Sequence, residues 1–549
     1  MSSIADDPPR GCLDSPAISA STVSPAAPAT ATRPPHGWAV VLDRRVWRAD
    51  RGRTLIGGSP PRVLHLSPAA YGRLAGPDGI APDARLTVTD ATSAALARLL
   101  TDAGVAHPDP GHPDAPAPAA VSVVVPVRDR PGELARLLGA LAATAPGIAE
   151  VVVVDDGSTD PDATARVAAA HGARVVCHPV SRGPAAARNT GAATAAGEIV
   201  AFLDSDVVPE PGWLAPLLGH LADPAVVLAA PRIVAWEASS AGAGPGATLT
   251  SSAQHADRVR KSPRSIARRT VARYEERRSS LDLGPRAAPV TARSRVAYVP
   301  SAALLVRREA LGAGFAEDMP VAEDVDLVWR LAAAGWRLRY EPSSRVAHEH
   351  RDAVGAWLER KAFYGTGAAP LALRHPRRVP PVALAPWTAA AMTLLGVQRR
   401  WSTAAAGAVT LLATARLARG LARPGRKDTR LGDIRRAVAL AAVLAPWGLG
   451  GAAWQAAGAL TRHWWPAAVA GAVVSRRVRR ALLVAGVVEG VADWARFRSP
   501  GDGPDDVVGH VVAHRLDDLA YGAGLWWGAW RYRTTAPLRP DLSGKGPDR

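Results

Sequence analysis

Between Val121 and Leu203, apolar β-like runs and helically spaced stretches take strict turns, and that alternation leaves the chain few architectures. Runs 121–127, 150–154 and 199–203 read as strands, and Val175 with Val176 begins another. Stretches 133–144, 162–171 and 185–196 between them have the spacing of helices. Strands that alternate with helices imply right-handed crossovers and a parallel α/β sheet covered on both faces. Ligands of such sheets bind beyond the carboxyl ends of the strands. Chemistry is therefore expected in the residues that follow each β run.

Acidic residues stand at those positions. Asp155, Asp156, Gly157, Ser158 and Thr159 follow the second run, where carboxylates can accept hydrogen bonds from a nucleotide's base and ribose. Asp204, Ser205 and Asp206 follow the run at 199–203. Two carboxylates one residue apart can share a divalent cation bridging a diphosphate, and hard oxygen ligands suit Mg²⁺ or Mn²⁺. Arg182, Gly183, Arg188 and Asn189 lie at the start of the intervening helix, where arginine and helix N-terminal amides suit phosphate oxygens. Glu323, Asp324 and Asp326 open a helical pattern that continues through Trp329. Asp324 is the expected general base, with Glu323 as its alternate. His348 and Arg351 follow, offering an imidazole for the cation and a counter-charge for the diphosphate. The aromatic and basic run of Trp357, Arg360, Lys361, Phe363 and Tyr364 suits sugar stacking or an amphipathic helix. His510 and His514 have the spacing of a helical metal pair without further support.

The chain's 549 residues suggest about three folded units. Residues 1–35, rich in Ala, Ser, Thr and Pro, read as a disordered tail. Residues 36–107 read as a small α+β module, with β-like runs at 38–42 and 63–66 and a helix at 92–103. A linker at 108–120 leads into the α/β domain, 121–370. Beyond it, residues 371–535 are apolar helices broken by arginines, and 536–549 form a second tail. Uncharged runs at 379–397 and 437–460 are long enough to cross a bilayer. Because arginines such as Arg399, Arg400, Arg476 and Arg477 flank both ends of the runs, re-entrant or surface-lying helices on an anionic inner leaflet explain them better.

The formal charge of +17 predicts affinity for something anionic. Aromatic stacking motifs for bases are absent, which argues against nucleic acid. Cys12 and Cys177 are the only cysteines, too few for a disulfide framework, and the N-terminus has no apolar run of export-signal length. The expected location is the cytoplasmic face of the cell membrane.

Taken together, residues 123–129, 155–158, 182–189, 204–206 and 323–327 resemble family 2 glycosyltransferases in order and spacing. Residues 298–308, 322–330, 335–342 and 348–351 are more closely similar to the glycosyltransferases of the mycofactocin system, and Gly57, Gly58, Ser59, Pro60 and 64–67 resemble small PqqD-like peptide-recognition domains. The resemblance implies an inverting GT-A enzyme moving glucose from UDP-glucose onto a peptide-derived redox cofactor, as a short β-1,4-linked chain. The alternative acceptor is a lipid or cell-wall polysaccharide. The expected donor site is Pro126, Arg128, Asp155, Asp156, Arg182, Arg188, Asn189 and Ser205, with a cation held by Asp204, Asp206 and His348. Asp326, Trp329, Arg351 and Tyr364 are expected to meet the acceptor. Gln398, Arg399, Arg400 and Trp401 fall one residue short of the Gln-x-x-Arg-Trp of processive members, which speaks against long polymers.

Overall fold

Valine fills five of the seven positions of β1 (Val121–Val127), and all five are buried. A β-branched run without alternation suits a central strand covered on both faces. β1 pairs in parallel with β2 (Glu150–Asp156) on one side and β4 (Ile199–Leu203) on the other, and β3 (Arg174–His178) extends β2 in parallel. The remaining strands are β5 (Val207–Pro209), β6 (Val226–Ala235), β7 (Ala288–Pro289), β8 (Ala303–Arg307) and β9 (Arg337–His348). Sheet order is β3-β2-β1-β4-β8-β6-β9-β5, with β7 beside β9. β8 runs antiparallel to both β4 and β6, so β6 and its parallel partner β9 point the same way as the central strands. The sheet is mixed, where the sequence alone suggested a parallel one.

Helix α1 (Pro131–Thr144) buries Leu134, Leu137, Leu138 and Leu141, the stripe a 3.6-residue period places on one face. Three further helices follow, α2 (Pro161–Ala170), α3 (Pro184–Thr194) and α4 (Leu214–His220), and α5 (Glu323–Ala333) precedes β9. Gly191 in α3 lies so close to β1 that an added Cβ would stand 2.2 Å from Val124.

The computed structural model describes residues 13–14, 33–236, 263–349, 353–422, 431–498, 503, 506–544 and 546. They divide into two compact units. The first joins the sheet domain to the expected small module. In that module two three-stranded sheets and a helix, Ala91–Asp102, enclose Trp38, Leu55 and Leu100. Asp90 and Ser93 close the helix with a reciprocal capping box. Strands Trp47–Ala49, Thr54–Gly57 and Arg85–Thr87 were not legible beforehand. Leu13–Asp14, inside the expected tail, pairs with β3. Cys177 on β3 is disulfide-bonded rather than a reduced thiol, and Cys12 lies outside the described residues.

The second unit is helical and takes in Pro263–Arg278 and Val354–Thr366, although both lie within the 121–370 span expected for the α/β domain. Its interior holds a buried polar cluster: Lys361 Nζ meets Glu275 at 2.8 Å and Asp517 at 3.3 Å, and the Tyr274 hydroxyl donates to Asp517 at 3.0 Å. Among the described residues one helix, Ile434–His463, is long and apolar enough to cross a membrane, with 28% of its most apolar stretch buried. The uncharged run at 379–397 is not one helix. Its helix is Pro386–Gly396, and Ala383 before it bridges to Asp541, which also pins the expected C-terminal tail.

Candidate active site

The predicted acids stand at the carboxyl ends of β2 and β4 and at the start of α5, and Arg188 lies between Asp204 and Glu323. This guanidinium is buried. Its Nη2 donates to Asp204 at 2.6 Å and its Nη1 to Glu323 at 2.9 Å. The two carboxylates raise the guanidinium's pKa against the opposing effect of burial, and its carbon lies 5.4 Å from the Phe315 ring centre. Asp206 is held in the same fashion by Arg130 Nη1 at 2.5 Å, and His348 Nε2 stands 3.5 Å from its other oxygen. Ser205 between the two acids is buried.

Asp324, next to Glu323, accepts from the backbone N–H of Ser301 at 3.2 Å. Burial, then the neighbouring Glu323 charge, pushes its carboxyl up to about 7 against the opposing pull of that N–H and of Arg188. A carboxylate with this pKa is suited to taking a proton near neutrality. α5 starts from Ala322 in the left-handed region, at φ 65°, a turn that the surrounding contacts must impose on a residue with a Cβ.

Asp156 is saturated by the end of β3 and the loop before α3. Its Oδ1 accepts from His178 at 2.7 Å and the Arg182 N–H at 2.8 Å. Its Oδ2 accepts from the Ser181 hydroxyl at 2.7 Å and the Gly183 N–H at 2.8 Å. These bonds outweigh burial and hold its pKa at about 2. Gly157, at φ 71°, lets β2 turn tightly beneath that loop, since an added Cβ would stand 2.5 Å from the Ser181 nitrogen. Asp155 differs: Oδ1 accepts from the Ser158 N–H at 2.8 Å, while Oδ2 is buried and has no hydrogen-bond partner. A buried carboxylate oxygen left so is costly and calls for an external donor.

Arg182 Nη2 reaches Glu317 at 3.0 Å, and Asn189 binds Glu317 and both backbone groups of Phe315. The loop at 315–317 thereby becomes part of the site, a contribution without any local sequence motif. Pro126 is partly buried on β1, and Arg128 is exposed beside Asp129 at 3.5 Å. Ser181, His178 and Arg130 were also not anticipated. Only a β-run ending in His, or an Arg-Pro helix start, marks them in the sequence.

Two of the expected acceptor residues turn away from the site. Asp326 is buried and bound by Arg330 at 2.8 Å, and Trp329 is buried with its indole N–H on Ala297 O at 2.8 Å. Both turn into the domain because α5 places them away from the face of Asp324. Tyr364 lies in the helical unit, stacked beside Arg360. Trp357 and Lys361 are buried in that unit's own interior, and Arg351 lies outside the described residues. His510 and His514 pair with Asp493 at 3.0 Å and Glu489 at 3.2 Å.

The donor set at the sheet edge fits a hard divalent cation. Asp204 and Asp206 each keep some exposure, 30% and 19% of their side chains, and His348 adjoins the second. Arg188 and Arg130 meanwhile supply positive charge to the same carboxylates, so a cation would have to share or displace these contacts.

Residues 122–263 match the family model described as glycosyl transferase family 2. Over 519 residues the chain is 44% identical to the pre-mycofactocin glycosyltransferase of Mycobacterium tuberculosis, covering 93% of this chain and 99% of that one. A validoxylamine A glucosyltransferase of Streptomyces hygroscopicus is 40% identical over 112 residues, 19% of this chain and 24% of its own. Among solved structures, a mannosyltransferase from Pyrobaculum calidifontis aligns with 61% of this chain and 89% of its own, at 24% identity and a TM-score of 0.33. On the strength of its near full-length relative, the chain belongs to the family 2 glycosyltransferases and is a glycosyltransferase enzyme.

Proposed function

We propose that the protein transfers glucose from UDP-glucose, with inversion, to the peptide-derived redox cofactor mycofactocin or its precursor, adding a short β-1,4-linked chain. The observation that carries the reading is that Arg188 ties Asp204 to Glu323, the neighbour of Asp324, which supports a base on α5 acting beside a diphosphate at the tip of β4. The acceptor assignment draws on the near full-length relative named for that substrate.

In this reading Asp155 accepts from the uracil imide, and Asp156 acts by shaping the 181–183 loop around the nucleoside. Arg182, Asn189 and the first turn of α3 face the diphosphate, with Pro126, Arg128 and Ser205 lining the donor side. Asp204, Asp206 and His348 would hold Mg²⁺ or Mn²⁺. When bound, the cation offsets charge on the departing diphosphate. Asp324 removes the proton from an acceptor hydroxyl as its oxygen attacks the anomeric carbon. The bond from that carbon to the diphosphate breaks, and UDP leaves from the opposite face. The small N-terminal module is read as PqqD-like and as the element that recognises the acceptor's peptide origin. The helical unit is read as lying on the inner leaflet.

Purified full-length protein supplied with radiolabelled UDP-glucose and Mn²⁺ tests this. Label is expected in the peptide-derived acceptor and not in lipid or polysaccharide extracts. Label confined to lipid extracts would replace the acceptor with a membrane-borne one, a rival that the exposed apolar surface of the helical unit favours.

A further inference from the structure

A cavity of about 200 Å³ lies where the N-terminal module meets the starts of β6 and β9. Because these strands run in the same direction as β4, their starts lie at the edge of the sheet away from Asp204. The cavity is thus separate from the donor site. Its walls combine apolar surface from Trp38, Val290 and Leu338 with three arginines.

Two of those arginines are already neutralised. Arg98 grips Asp223 with both Nη atoms, at 2.5 and 2.9 Å, and Arg337 holds Asp102 through Nε and Nη2, each at 2.8 Å. Arg339 is not. Only 3% of it is exposed, its Nη2 donates to His107 Nδ1 at 3.2 Å, and its Nε is buried without a hydrogen-bond partner. His107 brings no negative charge: burial lowers its pKa, so the ring is neutral, and its Nε2 faces Asp43 at 3.5 Å. Glu341, two residues along the strand, is engaged by His220 at 2.9 Å and by Ser343. Desolvation is severe enough to pull the Arg339 guanidinium down to about 10. A buried guanidinium without a hydrogen-bonded carboxylate is expensive and is otherwise found where an anion arrives to pair with it.

We propose that this cavity binds a small ligand with a carboxylate on an apolar body, the carboxylate pairing with Arg339 and the apolar part resting against Trp38 and Leu338. Guanidinium forks match planar carboxylates in two-point contact, and a concave site with apolar walls and one convergent charge is what such a ligand requires.

Titration calorimetry of the full chain with N-acetylphenylalanine, its neutral amide and inorganic phosphate tests the assignment. The acid is expected to bind in the millimolar range or tighter, and the amide and phosphate at least about tenfold more weakly. Arg339→Met is expected to abolish binding of the acid while leaving the protein folded, because an apolar chain of similar length replaces a buried guanidinium that has no hydrogen-bonded carboxylate. Thr291→Trp, at the exposed rim of the cavity, is expected to block entry without touching Arg339. Equal binding of acid and amide, undiminished binding by either variant, or no binding of the acid at 10 mM overturns the proposal. Phosphate binding as tightly as the acid overturns the apolar half of it.

Discussion

Asp204 and Glu323 hang from the two arms of one buried guanidinium, Arg188 Nη2 at 2.6 Å from the first and Nη1 at 2.9 Å from the second. The strand tip expected to hold the cation and the helix expected to hold the base are therefore positioned by a single side chain. Removing it leaves two carboxylates beside Asp324 without their shared counter-charge. Arg188→Met is expected to destabilise the protein by about 3–5 kcal/mol, the usual cost of breaking a buried ion pair from one side. Urea unfolding measures this, and a loss below about 1 kcal/mol would mean that the pair is not structural.

Asp206 gives the test of cation binding. Arg130 Nη1 donates to Asp206 Oδ2 at 2.5 Å and would compete with a metal for this carboxylate. Arg130→Met should tighten Mn²⁺ binding, by roughly tenfold if a contact worth about 1.4 kcal/mol is relieved. Asp206→Ala should remove binding. Electron paramagnetic resonance titration of free Mn²⁺ reads both without any sugar transfer. Unchanged Mn²⁺ affinity in the two variants would separate these acids from the metal.

The pKa of Asp324 makes two pH effects with one cause. Its ionised form is the base, so kcat/KM should climb about tenfold per pH unit below about 7 and level off above it. For stability the sign is opposite to that of a paired carboxylate. The folded-state value lies above the unfolded 3.8, so the unfolded chain ionises first and stability falls as pH rises from about 4 to about 7. Asp324→Asn lifts that penalty. The thermal midpoint of the variant should exceed that of wild type by a margin that grows between pH 4.5 and pH 8, while transfer falls at least about a hundredfold. A constant margin would show that the carboxyl titrates normally.

Asp156 runs the other way. Four hydrogen bonds hold it, two of them from backbone N–H groups of the loop before α3. Its stabilising contribution is complete above the unfolded value of 3.8 and disappears as pH falls through about 2. Asp156→Ala is expected to cost about 2–4 kcal/mol and to raise the donor KM more than it lowers kcat, since the loop loses its shape before the chemistry loses a group. A fall in kcat alone would argue for a direct part in transfer.

How far the sequence could be read follows from how local each signal is. A β run ending in acids reports its own position, so the places of Asp155, Asp156, Asp204 and Asp206 at strand ends are legible from the alternation alone. The partners Arg130, His178 and the 315–317 loop are joined to them only by folding, and no spacing in the chain announces a contact between Asn189 and Phe315. Helical geometry was available but unused at α5. Asp326 is two residues after Asp324, roughly 200° around the helix, which places it on the far side with Arg330. The helix Pro263–Arg278 belongs to the helical unit through contacts that no local pattern reports. Tyr274 and Glu275 are buried there, where they meet Asp517 and Lys361.

The helical unit carries its membrane test on its surface. Trp447, Val473, Val474 and Trp530 are each at least 70% exposed, an arrangement that water disfavours and the acyl boundary of a bilayer accommodates. Arg476, Arg477, Arg479 and Arg480 are exposed on the helix Arg476–Val484, whose apolar end continues through the exposed Leu483 and Val484. Attraction to anionic headgroups contributes about 1 kcal/mol per arginine near the surface. The full chain should therefore sediment with phosphatidylglycerol vesicles and much less with phosphatidylcholine vesicles. Replacing all four arginines by serine should weaken anionic-vesicle binding by roughly a hundredfold or more. Salt separates the two membrane readings. Helices lying on the leaflet are released at 0.5 M NaCl as screening shortens the reach of charge, whereas a spanning Ile434–His463 stays with the vesicles. Protein that remains in the supernatant with either lipid at low salt would leave the exposed tryptophans to a protein partner.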